Sequence, residues 1–128
     1  MVIDLAFVTP AVNQIELHPF LTQEDVVAFC AEHQIAVESW SPIAQGRVLD
    51  DPEIVSIASR VGKTPAQVVL RWHIERGFIV FPKSVTPARI RENIDIFDFE
   101  LSGQDHEAIT SLNRNQRTGP DPDKFGAV

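Results

Sequence analysis

Apolar positions along the chain follow two different periods. Three short runs, residues 12–17, 35–40 and 78–81, gather valine, isoleucine and aromatic residues in the manner of β-strands. The residues between them show helical spacing. After the first run, Val26, Val27, Phe29 and Cys30 make an apolar helix face, and Thr22 with Asp25 three residues on predicts a capping box at its start. After the second, Asp51-Pro52 predicts an N-cap followed by proline at the first helical position. Ile54, Ile57, Ala58 and Val61 continue that helix, and Gly62 is placed to end it. Thr64-Pro65-Ala66-Gln67 opens a further helix that carries Val69, Leu70, His73 and Ile74 and is closed by Gly77. The third run leads through Pro82-Lys83-Ser84 to Thr86-Pro87, again a cap and a proline, with Ile90, Ile94 and Phe97 at helical spacing beyond. Ser102 with Asp105 starts a last helix through Ile109 and Leu112. From residue 113 to 128, Gly119, Pro120 and Pro122 predict an extended tail.

Alternating strands and helices predict parallel strands joined by crossover helices. No glycine-rich fingerprint follows any strand, which weakens the case for an open dinucleotide-binding sheet. Polar side chains on the strands, Asn13, Gln14, Glu16, Glu38 and Ser39, suit the mouth of a barrel instead. A closed eight-unit barrel needs roughly 250 residues. The expected fold is therefore α/β: residues 1–128 as one part of a (β/α)8 TIM barrel, the portion holding three parallel βα units, a last helix and the tail.

Composition narrows the partners. With 11 basic and 18 acidic residues among 128, the net charge of −7 repels nucleic acid and anionic membrane as a whole, so neither is an expected partner. An anion site must then be a local basic cluster. No run approaches the roughly 20 apolar residues of a membrane helix. The start, Met1 to Leu5, lacks a basic region and a cleavage site and reads as the tail of a helix rather than a signal peptide. A single cysteine, Cys30, excludes an internal disulfide, fits a reducing cytoplasmic compartment and reads as a core thiol. The chain has no tyrosine.

Three stretches could carry chemistry. Phe81-Pro82-Lys83-Ser84 through Arg89 puts two cations and a hydroxyl at a strand end and a helix N-terminus, a setting for phosphate, although on spacing alone the commoner reading is a solvated lysine and a surface arginine. Glu38-Ser39-Trp40-Ser41-Pro42-Ile43-Ala44-Gln45-Gly46 offers an indole to stack a flat ring and a small-residue loop to follow a diphosphate; the commoner fate of such a tryptophan is the core. In Asn13-Gln14-Ile15-Glu16-Leu17-His18-Pro19, Gln14 can both donate to and accept from a carboxamide, and His18 is either an acid–base group or a structural one. His18, His33, His73 and His106 show no metal-ligand spacing.

Taken in order, these stretches resemble the C-terminal half of the aldo-keto reductase family. Residues 12–19 are similar to its sixth barrel strand, Ser39-Trp40-Ser41-Pro42 to its seventh, and Phe81 through Asn93 to its cofactor-phosphate signature. Phe81, where the family commonly has a smaller aliphatic, is a mild departure. The tail from Arg117 to Asp123 is similar to the bacterial 2,5-diketo-gluconate reductase branch. The resemblance implies NADPH as cofactor: Gln14 on the nicotinamide carboxamide, Trp40 on the ring, Ser41, Ile43 and Gln45 along the diphosphate. It further implies Lys83, Ser84 and Arg89 on the 2′-phosphate, and Glu92 and Asn93 on the adenine. The implied reaction is hydride transfer to a small aldehyde or ketone. The family's aspartate, tyrosine, lysine and histidine tetrad lies in the other half of the barrel, and its acid is the tyrosine that this chain lacks. The expectation is a cofactor-binding part, inactive alone, that self-associates or pairs with an N-terminal half. The alternative is a non-catalytic nucleotide-binding or protein-interaction module.

Overall fold

The three strand runs pair side by side. The computed structural model describes residues 12–80 and 87–117, the side chains of Gln45 and Arg89 excepted. Strands β1 (Val12–Glu16), β2 (Ala36–Trp40) and β3 (Ile79–Val80) form a parallel sheet in that order. Parallel neighbours need a crossover. Helix α1 (Glu24–Glu32) supplies the first, and α2 (Pro52–Val61) with α3 (Pro65–Glu75) the second; α4 (Pro87–Ile94) and α5 (Gly103–Thr110) follow.

Side chains alternate across the strands, and the described helices pack their core residues against one face. Ile15, Leu17 and Val37 turn to that side and meet Cys30, Ile54, Ile57, Ala58, Val68, Val69 and Trp72 in one continuous core. Burying each such aliphatic side chain contributes about 1.5–3 kcal/mol. The α2 residues that reach the core sit at positions 54, 57 and 58, the helical spacing anticipated from the sequence. Cys30 is fully buried, as a core thiol should be.

Helix ends follow their local signals in three cases. Asp51 accepts from the Glu53 amide at 2.9 Å, with Pro52 first in the helix. Thr64 and Gln67 form a reciprocal box, the Thr64 Oγ1 accepting at 3.2 Å and the Gln67 Oε1 at 3.0 Å. Ser102 and Asp105 form another. Gly62 ends α2 at φ 72°, a left-handed conformation that costs glycine little. Because Thr64 also donates to Glu92 at 2.8 Å, Thr64→Ala is expected to lose about 1–2 kcal/mol, read as a lower urea midpoint at unchanged m.

Four expectations change. Thr22 is not the cap of α1: Gln23 precedes the helix at φ 48° without a side-chain cap. The Thr22 amide is taken instead by Asn113 Oδ1 at 3.2 Å, and Gln23 Nε2 donates to the Glu16 carbonyl at 2.6 Å, so tertiary contacts outcompete the local box. Asn13 and Ser39 do not line a mouth; they lie on the helix-covered face, where Asn13 Nδ2 meets Cys30 Sγ at 3.5 Å and Ser39 is buried. Phe97 does not extend α4, which stops at Ile94 because Gln67 Nε2 takes the Glu92 and Asp95 carbonyls (2.9 and 3.2 Å) and the Ile96 amide turns back to Ile94. Strand β1 covers 12–16 and β2 36–40, each one residue shorter than its run, and Phe78 stands outside β3 while Phe81 lies outside the described residues.

The described start of the tail is held down at its far end of the chain. Arg114 and Gln116 amides both donate to the Phe20 carbonyl at 3.0 Å, and the Arg114 guanidinium lies 4.1 Å from the Phe20 ring centroid. Among the described residues no helix is long and apolar enough to cross a membrane.

Candidate functional site

The sheet face opposite the helix-packed core carries Gln14, Glu16 and Glu38. Gln14 stands opposite Glu38 in register, and Glu16 opposite Trp40. Residues two apart share a face, so Gln14, Glu16, Glu38 and Trp40 lie together on it. Gln14 is exposed, and its Nε2 donates to Glu38 Oε1 at 3.3 Å. That contact leaves the Gln14 carbonyl oxygen available to a ligand. Trp40, at the C-terminal end of β2, is half-buried, so part of the indole is covered and part offers an apolar surface.

The chain then turns tightly. Ser41 has φ 54° and Ala44 φ 52°, both in the left-handed region, and Ala44–Gly46 is a 3-10 turn. Ala44 N donates to Ser41 O and Gly46 N to Ile43 O, each at 2.9 Å. Ile43 packs against the core, so the turn is pinned on its inner side. Gln45 is placed by its backbone in this turn.

Two buried histidines hold the strand ends. His18 Nε2 meets Glu16 Oε2 at 2.7 Å with both side chains wholly buried. Burial pushes the His18 pKa down, against the pull of the Glu16 hydrogen bond and charge. His18, in the loop after β1, is thus tied to Glu16. His73, on α3, donates from Nε2 to the Pro42 carbonyl at 2.9 Å. Burial lowers its pKa to about 3, so it is neutral near pH 7.

The other half of the sequence-derived site is on α4. Arg89 lies in its backbone, while Lys83 and Ser84 fall outside the described residues. Glu92 Oε1 accepts from Thr64 Oγ1, and Gln67 ties the same turn to α3. Asn93 borders a shallow apolar groove with Leu70, Ile74, Val80, Ile90 and Ile94. The structure therefore brings Gln14, Trp40, Ser41 and Ile43 to one strand-end cluster, with Glu92 and Asn93 on a separate helix. The contacts of Glu38 with Gln14 and of His73 with Pro42 have no counterpart in the sequence pattern. Glu38 stands two residues before Trp40, the spacing that could have placed it on the same face. Among the described residues no group of three His, Cys, Asp or Glu converges to hold a metal.

The family model described as the Aldo/keto reductase family matches residues 2–114. The chain belongs to the aldo/keto reductase family. An aldo-keto reductase of Mycolicibacterium smegmatis is 58% identical over 118 residues, which cover 92% of this chain and 43% of that protein. The methylglyoxal reductase DkgA of Escherichia coli K12 is 52% identical over 126 residues, 97% of this chain and 46% of that protein. The chain thus spans less than half the length of these curated relatives. Among solved structures, a Gox0644 mutant in complex with NADPH superposes with a TM-score of 0.92 at 48% identity, covering 95% of this chain and 45% of that one. An aldo/keto reductase from Brucella melitensis gives 0.83 at 55% identity, over 88% of this chain and 43% of that one. The parallel sheet and its helices are accordingly part of the aldo/keto reductase (β/α)8 barrel.

Proposed function

We propose that this chain is the nicotinamide-cofactor part of a cytoplasmic, NADPH-dependent carbonyl reductase and that it does not reduce carbonyls by itself. The observation that carries the reading is the strand-end cluster: an exposed amide at Gln14 and a half-buried indole at Trp40 on one sheet face, followed at once by the tight Ser41–Gly46 turn. These groups fit a nicotinamide. The indole covers one face of the ring, and Gln14 presents an acceptor to the carboxamide N–H. When bound, NADPH supplies the hydride. Lys83, Ser84 and Arg89 are assigned to its 2′-phosphate and Glu92 and Asn93 to its adenine, with Ser41, Ile43 and Gln45 along the diphosphate. The mutant neighbour solved with NADPH supports that choice of cofactor.

Calorimetric titration of the purified chain with NADPH and NADH tests this. NADPH is expected to bind in preference to NADH. Arg89→Ala or Lys83→Ala is expected to weaken NADPH about 10–100-fold while leaving NADH nearly unchanged, as loss of one charge-assisted phosphate contact would. Equal affinity for the two cofactors, or no binding to either, defeats the cofactor assignment. Methylglyoxal, named for the enterobacterial relatives, should not be turned over, since no tyrosine is present to give the proton. Turnover by the pure chain would defeat the inactivity.

The second reading, a protein-interaction module, draws on the groove beside β3. Ile94 and Phe97 are 63% and 68% exposed, and Ile90 is 43% exposed. Exposed apolar side chains beside a strand edge favour association. We propose pairing with an N-terminal half-barrel or with a second copy. A monodisperse monomer by light scattering, unchanged at high concentration, counts against both.

A further inference from the structure

We propose that His73 is a positioning residue for the cofactor loop: through Nε2–H to the Pro42 carbonyl oxygen, α3 fixes the shape of the turn that runs from Ser41 to Arg47. The inference rests on the reading of that turn as the diphosphate-lining segment.

The turn is one that the chain does not favour by itself. Ser41 and Ala44 both occupy the left-handed region at φ 54° and 52°, where a side chain crowds its own backbone. Each such residue is strained and persists only where surrounding contacts over-determine it. The hydrogen bonds inside the turn, Ala44 N to Ser41 O, Gly46 N to Ile43 O and Arg47 N to Ala44 O, set its local curvature but do not tie it to the body of the protein. Contacts with the rest of the fold do that, Ile43 packing against the core among them. The Ala44 methyl is fully buried, and the Pro42 carbonyl receives the His73 proton at 2.9 Å.

His73 is itself immobile. Its side chain is wholly buried, its ring meets Trp72 edge-on at 4.8 Å and Phe78 at 6.0 Å, and its carbonyl accepts the Phe78 amide at 3.0 Å. A carbonyl can only accept, so the imidazole proton is on Nε2. Nδ1 has no hydrogen-bond partner among the described residues. The ring therefore has one proton and one target, and that target lies two residues beyond Trp40. A proline at position 42 has no amide hydrogen to offer, which leaves its carbonyl as the one backbone group there that α3 can hold.

Hydrogen exchange and NADPH titration on the chain, unsubstituted and as His73→Leu and His73→Gln, test the assignment. In His73→Leu, the Ala44, Gly46 and Arg47 amides are expected to exchange at least 10-fold faster, and NADPH to bind about 10-fold more weakly. In His73→Gln, whose side-chain amide can still donate, both are expected to return to within about 3-fold of the unsubstituted chain. A merely structural His73 would lower the melting temperature in both variants and leave loop exchange and affinity of the folded molecules unmoved; that result overturns the proposal. So does faster loop exchange with unaltered affinity. Should His73→Leu fail to fold, imidazole nitrogen NMR of the unsubstituted chain decides, because a proton on Nδ1 overturns the assignment and one on Nε2 with slow exchange upholds it. Absence of NADPH binding by the unsubstituted chain defeats the cofactor reading and this inference with it, whereas unchanged loop exchange in His73→Leu defeats this inference alone.

Discussion

Lowering the pH from 7 to about 4 is expected to remove about 3 kcal/mol of folding stability through His73 alone. In the folded chain burial drives the pKa of His73 down to about 3, with His18 and Arg76 opposing the charge from nearby, while an unfolded histidine takes its proton near 6.5. Between those values the unfolded state binds more protons than the folded one. Stability is therefore complete above pH 6.5 and falls as the pH drops towards 3, by about 1.4 kcal/mol for each pH unit crossed. His18, also lowered by burial, adds to the loss in the same direction. Glu75 and Asp105 enter later. Burial would raise both, but the hydrogen bonds from His106 and Arg71 to Glu75, and from Ser102 and Arg60 to Asp105, hold them below their ordinary 4.5 and 3.8. Their stability is lost only below those values. Urea unfolding followed by tryptophan fluorescence at pH 7, 5.5 and 4 reads the effect. His73→Leu should flatten the upper part of the curve, and a parallel fall in variant and unsubstituted chain would refute the assignment to His73.

Trp72→Ala is expected to cost about 3–5 kcal/mol, enough to unfold much of a domain whose whole stability is about 5–15 kcal/mol. Trp72 is the largest wholly buried side chain, and it joins α3 to the sheet through Phe78, whose ring is edge-on at 6.4 Å. The Arg76 guanidinium covers the indole at 5.2 Å and the Phe78 ring at 5.1 Å, and also pairs with Glu24 of α1. Removing the ring opens a cavity at the junction of two crossover helices and a strand. Trp72→Phe should lose much less, about 1–2 kcal/mol, because the indole Nε1 has no hydrogen-bond partner among the described residues and phenylalanine forfeits no such bond. Denaturant midpoints of the two variants separate the terms: equal losses would mean that the fit of the whole indole, which a phenyl ring does not reproduce, carries the stability.

Much of this fold is readable from neighbours in sequence. Asp51, Thr64 and Ser102 act on groups two or three residues away, and each caps the helix that its local pattern predicts. Thr22 carries the same kind of pattern and does not, because Asn113 arrives from 91 residues away to take its amide. The period of two places Gln14 and Glu16 on one side of β1, and Glu38 and Trp40 on one side of β2. It does not say which side the helices cover, so Asn13 and Ser39 suit a mouth by their polarity and yet lie on the helix-packed face. His73 looks like one more member of a buried helix face, and its partner carbonyl at Pro42 is 31 residues back. The strand-end cluster was legible as residue types; the clamp that shapes its loop depends on an approach between α3 and the end of β2 that no local spacing encodes.

The clasp between the tail and the Phe20–Thr22 loop sets an order of events in time. Asn113, Arg114 and Gln116 grip a segment just after β1, Asn113 from 91 residues further along the chain. During synthesis, at about 5–20 residues per second, β1 and its loop leave the ribosome several seconds before the residues that fasten them. Each βα unit can begin to collapse as it emerges, but Phe20 and Thr22 acquire their final partners only once residues 113–116 are out. A ribosome stalled before Asn113 would therefore display a nascent chain whose Phe20–Thr22 loop is still open to proteases.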